Sequence, residues 1–324
     1  MAGWTVVTGG AGYVGSVLVG ELLASGRAVR VVDALVHGGV RSLVSVWGSP
    51  KFEFLRIDVR DRASCRSALE GCSEIIHLAA IVGDPACSRD PELARETNLD
   101  ATEALVGDAK RAGAGRFVFL STCSNYGKME DSEQFASEEC ELRPLSVYAE
   151  TKVAAEQAVL AASGNGLSTT CLRLATVYGP SPRMRFDLTV NEFSRDAFLA
   201  GELIVYGEQF WRPYIHVRDA ARGIRHVLDA PVDSVASEVF NVGSTRENYR
   251  KLDIVELLRG RIPTAKIRFV HRDEDPRDYR VTFRKLQETL GFEPRRTVSE
   301  GIDEVIGLLE SRLLDDPYAS IYSN

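Results

Sequence analysis

The sequence predicts an α/β fold, a doubly wound parallel sheet with a smaller C-terminal α/β lobe. Three observations carry this: apolar runs alternate with amphipathic segments through the first half, a glycine-rich turn follows the first run, and the alternation loses its regularity after Tyr178-Gly179-Pro180. Runs at 4–8, 29–33, 52–56, 74–77, 116–121 and 168–174 are rich in β-branched and aromatic residues and read as buried strands. Segments 13–25, 60–69, 91–112 and 144–162 repeat apolar residues at three- and four-residue spacing and read as helices. Beyond Pro180 the reading is a polar loop (SPRMRFD), a helix near 189–201, strands near 203–206 and 213–217, and a helix near 218–229. A strand near 238–242 and helices near 251–260 and 298–313 follow. Residues 1–180 are expected to form the main domain and 181–324 a substrate lobe, with segments near 213–243 returning to the main domain.

The 324 residues carry 46 acidic and 39 basic side chains, a net charge of −7, which argues against nucleic acid as a partner. No apolar stretch has the ~18–20 residues of a membrane span, and residues 1–8 lack a basic, then long apolar, leader. A cytoplasmic protein without a membrane partner is the expectation. The six cysteines lack CxxC spacing and the five histidines lack HExxH spacing, so no metal is expected.

Strand WTVVT runs straight into Gly9-Gly10-Ala11-Gly12-Tyr13-Val14-Gly15 and then into a helical pattern. In that setting Gly9 permits a tight turn, Gly12 lets the backbone approach a diphosphate, and Gly15 lets the helix pack close to the sheet. The next strand ends in Asp33, 18 residues past Gly15, where a carboxylate can accept both hydroxyls of an adenosine ribose. It would repel a 2′-phosphate, and Ala34-Leu35 supply no neutralising cation, so NAD rather than NADP is expected, in a Rossmann-type domain. The competing reading makes Asp33 a loop cap. Asp58, followed by Val59, stands where it could bond the adenine amino group or cap a helix.

The strand RFVFLST ends at Thr122, and Tyr148 and Lys152 follow at i and i+4 on one helix, hence on one face. An adjacent ammonium and a positive nicotinamide both favour phenolate, so Tyr148 can take a proton from a sugar hydroxyl that Thr122 aligns.

Taken together, these features make the chain resemble the extended short-chain dehydrogenase/reductase family, in particular its NAD-dependent sugar-nucleotide epimerases and dehydratases such as those of UDP-galactose 4-epimerase type. The resemblance rests on TGGAGYVGS, VVD, IDVRD, HLAA, ETNLDAT, STCSNYG, YAETK, LRLATVYGP, WRPYIHVRD and NVGS. It implies that Thr122, Tyr148 and Lys152 are catalytic. It also implies that Leu78, Ala79, Ala80 and Asn98 line the cofactor site together with Tyr13, Val14 and Val59, and that Tyr178 lies near the nicotinamide. Cys123, Ser124, Thr176, Asn191, Arg212 and Arg277 would face a nucleotide-sugar substrate, the two arginines gripping its diphosphate. A homodimer is implied as well.

Departures narrow the reaction. Dehydratases of this family carry an Asp-Glu pair after the threonine and decarboxylases a Glu at the second position, where this chain has Cys123-Ser124. That favours a C4 epimerase of an NDP-hexose or NDP-hexuronate, with a ketosugar reductase next, a 4,6-dehydratase after it, and a cofactor-sensing regulator as the non-enzymatic alternative. Cys123 reads first as a small packing residue. Asp84 could reach the sugar pocket or serve its loop, and Arg183 and Arg185 could meet a sugar carboxylate or diphosphate or be solvated.

Overall fold

The computed structural model describes residues 3–38, 40–129, 134–272 and 278–324. Its strands, in chain order, are β1 Trp4–Thr8, β2 Val29–Val32, β3 Phe52–Leu55, β4 Cys72–His77, β5 Arg116–Thr122, β6 Phe135–Ala136, β7 Ser168–Leu174, β8 Thr176–Tyr178, β9 Glu202–Tyr206, β10 Trp211–His216, β11 Glu238–Val242, β12 Asn248–Arg250, β13 Lys266–Val270 and β14 Arg280–Val281. Seven of them form one parallel sheet in the order β11-β7-β5-β4-β1-β2-β3. The chain winds outward from β1 through β2 to β3, then crosses back to β4 on the other side of β1. The crevice beyond the carboxyl ends of β1 and β4 is therefore the switch point, where the two neighbouring connections leave in opposite directions and open a groove.

Both faces of this sheet are covered, as its continuous apolar strands require. Val7, Val31, Ile76 and Val118 pack on one side with the first helix, Tyr13–Ala24, and with the helix Val217–Asp229. Val6, Ile75, Phe117 and Phe119 pack on the other with Leu105, Ala109 and Val159. A third cluster, Tyr178, Phe193, Leu203, Val205, Tyr214, Ile254, Val298 and Ile302, forms the core of the lobe. There β10 pairs with β8 in parallel and β12 antiparallel, while β9 pairs with β13. β11 rejoins the main sheet beside β7.

Element ends follow local chemistry. Ser146 caps the helix Val147–Ala161 by accepting the Ala149 N–H, so that helix starts three residues later than the pattern suggests. The expected helix over 91–112 is divided: Pro91–Arg95, a π-turn at Glu96–Asp100, and Ala101–Arg111. The π-turn brings Asn98 inward, where its side chain bonds both backbone groups of Ile81. Among the described residues no helix is long and apolar enough to cross a membrane.

Candidate active site

The glycine turn is shaped by what it excludes. Gly9 has φ of +71°, and a Cβ there would lie 2.7 Å from the Ala79 nitrogen just past β4. A Cβ on Gly15 would overlap the Gly9 carbonyl oxygen. Gly12 caps the Tyr13–Ala24 helix with no side-chain bond, and its first turn holds no acidic residue, so the first-turn N–H groups and the positive end of the dipole face the groove. Asp33, just beyond β2, accepts the Ala11 N–H at 2.9 Å and the Leu35 N–H at 2.8 Å. Burial raises its pKa, and these two N–H groups and the Arg183 charge oppose the rise. A bare glycine cradle, an uncapped helix start and an anchored carboxylate at the groove's edge fit the diphosphate and ribose of NAD. The same carboxylate also restrains the loop, so the two readings of Asp33 are compatible.

Leu78, Ala79 and Ala80 are half-buried at the exit of β4, held by the Leu78 N–H on the Thr8 carbonyl at 3.1 Å. His77 bridges Thr8 Oγ1 at 2.6 Å and Thr102 Oγ1 at 2.9 Å, and burial pushes its pKa down to about 3, which keeps the ring neutral. Asp58 is held by the Arg60 side chain, which lowers its pKa, and the helix cap nearby is Asp61 rather than Asp58. Val59 is buried in the core beside it.

At the end of β5, Thr122 accepts the Ser124 N–H at 3.1 Å, and its hydroxyl acts on the phenol of Tyr148. Burial raises the Tyr148 pKa; the Thr122 hydroxyl and the Arg185 charge pull it back, while Cys87 and Asp84 push it up. Lys152, one turn along the same helix, is 3% exposed with its ammonium 4.0 Å over the Phe119 ring, and burial lowers its pKa to about 7. Asp84 accepts the hydroxyl of Ser146, the cap of this helix, at 2.7 Å. Of the three residues that the sequence assigns to catalysis, Thr122 and Tyr148 are neighbours at the end of β5, and Lys152 lies one turn from Tyr148 over the Phe119 ring of the same strand.

Other sequence-stated contacts resolve differently. Ser124 Oγ lies 3.3 Å from the Tyr279 hydroxyl, and the Tyr279 ring carries the Arg212 guanidinium 5.5 Å from its centroid. Ser124, Tyr279 and Arg212 thus form a polar path from the end of β5 to the lobe. Thr176, half-buried on β8, pairs with Tyr214 beside this path. Arg277 lies outside the described residues. Four side chains that the sequence assigns to substrate or cofactor are engaged by buried partners. Cys123 is 1% exposed, and its thiol, raised in pKa by burial, donates to the Arg173 carbonyl, facing the core rather than substrate. Asn191 accepts the Gly179 N–H and donates to Tyr13 Oη and the Arg185 carbonyl, leaving no polar group for a substrate. Tyr13 donates to the Gly179 carbonyl at 2.6 Å, so its ring binds the lobe and only its backbone faces the groove. The Tyr178 ring is enclosed in the lobe core against Tyr214 and His216 and offers no face to nicotinamide. Asn98, spent on Ile81 and Thr151, positions the Leu78–Ala80 turn from behind.

Sequence reasoning missed a buried network. Arg173 pairs with Glu156 and donates to Tyr126 Oη, which donates to Asn241 Oδ1 at 2.7 Å. The available signal was a lone charge inside each of two apolar runs, STTCLRL and VAAEQAV. Among the described residues no cluster of His, Cys, Asp and Glu is placed to hold a metal.

Comparison with known proteins accords with this geometry. Residues 5–243 match the model of the NAD dependent epimerase/dehydratase family. The chain is 30% identical over 318 residues to UDP-glucuronic acid decarboxylase 1 of Arabidopsis thaliana, covering 96% of this chain and 71% of the relative. It is 31% identical over 319 residues to dTDP-glucose 4,6-dehydratase of an Actinoplanes species, covering 93% and 96%. The crystal structure of Thermus thermophilus UDP-glucose 4-epimerase in complex with NAD superposes with a TM-score of 0.83 at 26% identity, covering 96% of this chain and all of that one. A match over most of the chain, the parallel sheet with its glycine turn, and the Thr-Tyr-Lys arrangement agree: this chain belongs to the NAD-dependent epimerase/dehydratase family, enzymes that act on nucleotide sugars with NAD as cofactor.

Proposed function

We propose that the protein is a C4 epimerase of a nucleotide sugar. The observation that carries this reading is the chemistry after Thr122: Cys123 is a buried thiol raised in pKa and committed to the Arg173 carbonyl, and Ser124 is a neutral hydroxyl beside Tyr279. Elimination of water needs an acid for the departing hydroxyl and a base for the carbon-bound proton, and neither residue supplies one at neutral pH. What remains is proton and hydride exchange at one carbinol.

NAD, held by the glycine turn and Asp33, would supply a hydride acceptor and donor for C4. The Tyr148 oxygen removes the hydroxyl proton as the carbonyl forms and returns it when the carbonyl is reduced. Thr122, fixed by the Ser124 N–H, bonds the same sugar oxygen and holds it against Tyr148. Lys152 moves between neutral and charged near pH 7, so its ammonium can stabilise phenolate when the site fills. Arg212, stacked on Tyr279, would hold the nucleotide diphosphate while the sugar turns and presents its other face.

The reaction run in deuterated water tests this. Hydride removal and return at one carbon leaves the product sugar free of carbon-bound solvent deuterium, which is the expected result. Deuterium entering at C5 or C6 would mean dehydration or decarboxylation through a carbanion and would overturn the epimerase reading.

A further inference from the structure

The loop after Pro180 carries two buried arginines whose roles differ. Arg185 is paired with a carboxylate: its Nε and Nη2 bond the two oxygens of Asp187 at 2.9 and 2.7 Å. Arg183 is not. It is 8% exposed, its Nη2 donates to the Ser323 carbonyl at 3.0 Å, and its Nε is buried with no hydrogen-bond partner. A buried guanidinium N–H left unsatisfied is costly and marks a position that a ligand oxygen would complete.

Its surroundings say which ligand. Arg183 and Asp33 lie close enough that each charge acts on the other, and Arg183 also acts on His37, in the loop that follows Asp33. Met184 beside it packs with Tyr13 of the first helix, and its partner Ser323 stands two residues from Ile321, which touches the loop after Asp33, so the guanidinium sits on the Asp33 side of the groove. The segment 315–324 holds it there. Ile321 reaches the same loop, its Cγ2 4.0 Å from where a Cβ on Gly38 would lie. The Tyr322 carbonyl accepts the Phe186 N–H at 2.8 Å, its ring packs edge-on against Phe186, and it joins the cluster of Tyr13, Met184 and Val217 beneath the glycine turn. The Asn324 N–H donates to Asp187. One short strap thus touches the loop after Asp33, the first helix and the arginine loop, three elements that surround the adenosine half of the groove.

We propose that Arg183 is a cofactor-binding residue, donating its free Nε–H to a phosphate or ribose oxygen of NAD, and that the segment 315–324 is a strap that holds Arg183 in place and retards NAD release. The ligand is the cofactor rather than a sugar carboxylate. A retained cofactor suits a reaction that regenerates NAD in every turnover, but the proposal rests only on NAD being the cofactor, and its test does not depend on which sugar reaction occurs.

The experiment is exchange of bound NAD for isotopically labelled NAD, followed by mass spectrometry of the cofactor released on denaturation. Arg183→Met is compared with wild type and with Ile321→Asp, which weakens the strap without touching the arginine. Arg183→Met is expected to release NAD about tenfold faster or more, the loss of a charge-assisted hydrogen bond. Ile321→Asp is expected to speed release to a smaller degree, with the melting temperature of the NAD-free protein unchanged. Wild-type exchange in both variants would overturn the proposal. So would an Arg183→Met variant that keeps NAD normally but loses affinity for NADP alone, since the arginine would then read a 2′-phosphate. If Arg183→Met fails to fold, wild-type exchange by Ile321→Asp and by Tyr322→Ala refutes the strap, and wild-type exchange by Arg183→Lys, whose ammonium cannot reproduce the Nε–H, refutes the arginine contact.

Discussion

Tyr148 and Lys152 are both driven toward their neutral forms by burial, the phenol upward in pKa and the ammonium down to about 7. The sequence suggests an ammonium that lowers the phenol; the packed site adds that in the absence of cofactor this ammonium is itself only half formed at neutral pH. Replacing Tyr148 with Phe removes the proton acceptor and is expected to lower kcat by ~10²–10⁴-fold with nucleotide-sugar binding retained, checked by steady-state turnover and substrate titration. Lys152 also sets a pH dependence of stability. Between the folded value of about 7 and the unfolded value of 10.5, the unfolded chain holds a proton that the folded chain does not, so stability of the NAD-free protein rises with pH across that window. In Lys152→Met that rise is expected to flatten, and the melting temperature at pH 7 to increase, while activity is lost. A thermal unfolding series from pH 6 to pH 10 reads this directly; equal slopes in both proteins would place Lys152 in a solvated position.

At the scale of elements, the glycine turn and β2 act together. Asp33→Ala removes the acceptor of the Ala11 and Leu35 N–H groups and is expected to weaken NAD binding at least tenfold while narrowing the preference for NAD over NADP, measured by titration of the stripped protein. The helix Val147–Ala161 is pinned to β7 by Arg173 and Glu156. Arg173→Met leaves Glu156 buried and unpaired at a cost of ~3–5 kcal/mol, and the double variant Arg173→Met/Glu156→Leu is expected to recover most of it in denaturant unfolding. The elements legible in the sequence are those whose logic is local. Gly9 through Gly15, Asp33, and the Tyr148–Lys152 pair can be read because each set lies within one turn, one βα unit or one helix face. The contacts that sequence could not show are those whose partners lie far along the chain. Asn191 bonds Tyr13, 178 residues away, and Arg183 meets Ser323, 140 residues away, and no periodicity reports such contacts. Breaking of the helix over 91–112 at Glu96–Asp100 is of the same kind, since it serves the Asn98 bond to Ile81.

For the whole molecule, two sets of contacts join the main sheet to the lobe. Tyr13, Asn191, Gly179 and Arg185 tie the first helix to the lobe, and Ser124, Tyr279 and Arg212 run from the catalytic strand to it. The proposed reaction needs a hydride acceptor, one proton carrier and a grip on the diphosphate, the roles proposed for NAD, Tyr148 and Arg212, and the chain has Cys123-Ser124 rather than an Asp-Glu pair after Thr122. The proposed reaction is inversion at one carbon with the cofactor recycled in place. The measurement that tests it most directly is incubation of the freshly purified protein, with no nucleotide added, with UDP-, dTDP-, GDP- and CDP-linked hexoses and hexuronates, followed by mass spectrometry and proton NMR of the sugar. The account predicts reversible conversion of at least one substrate to its C4 epimer at constant mass, supported by the NAD already bound. Loss of water or of carbon dioxide, or turnover only with added NADH or NADPH, would contradict it.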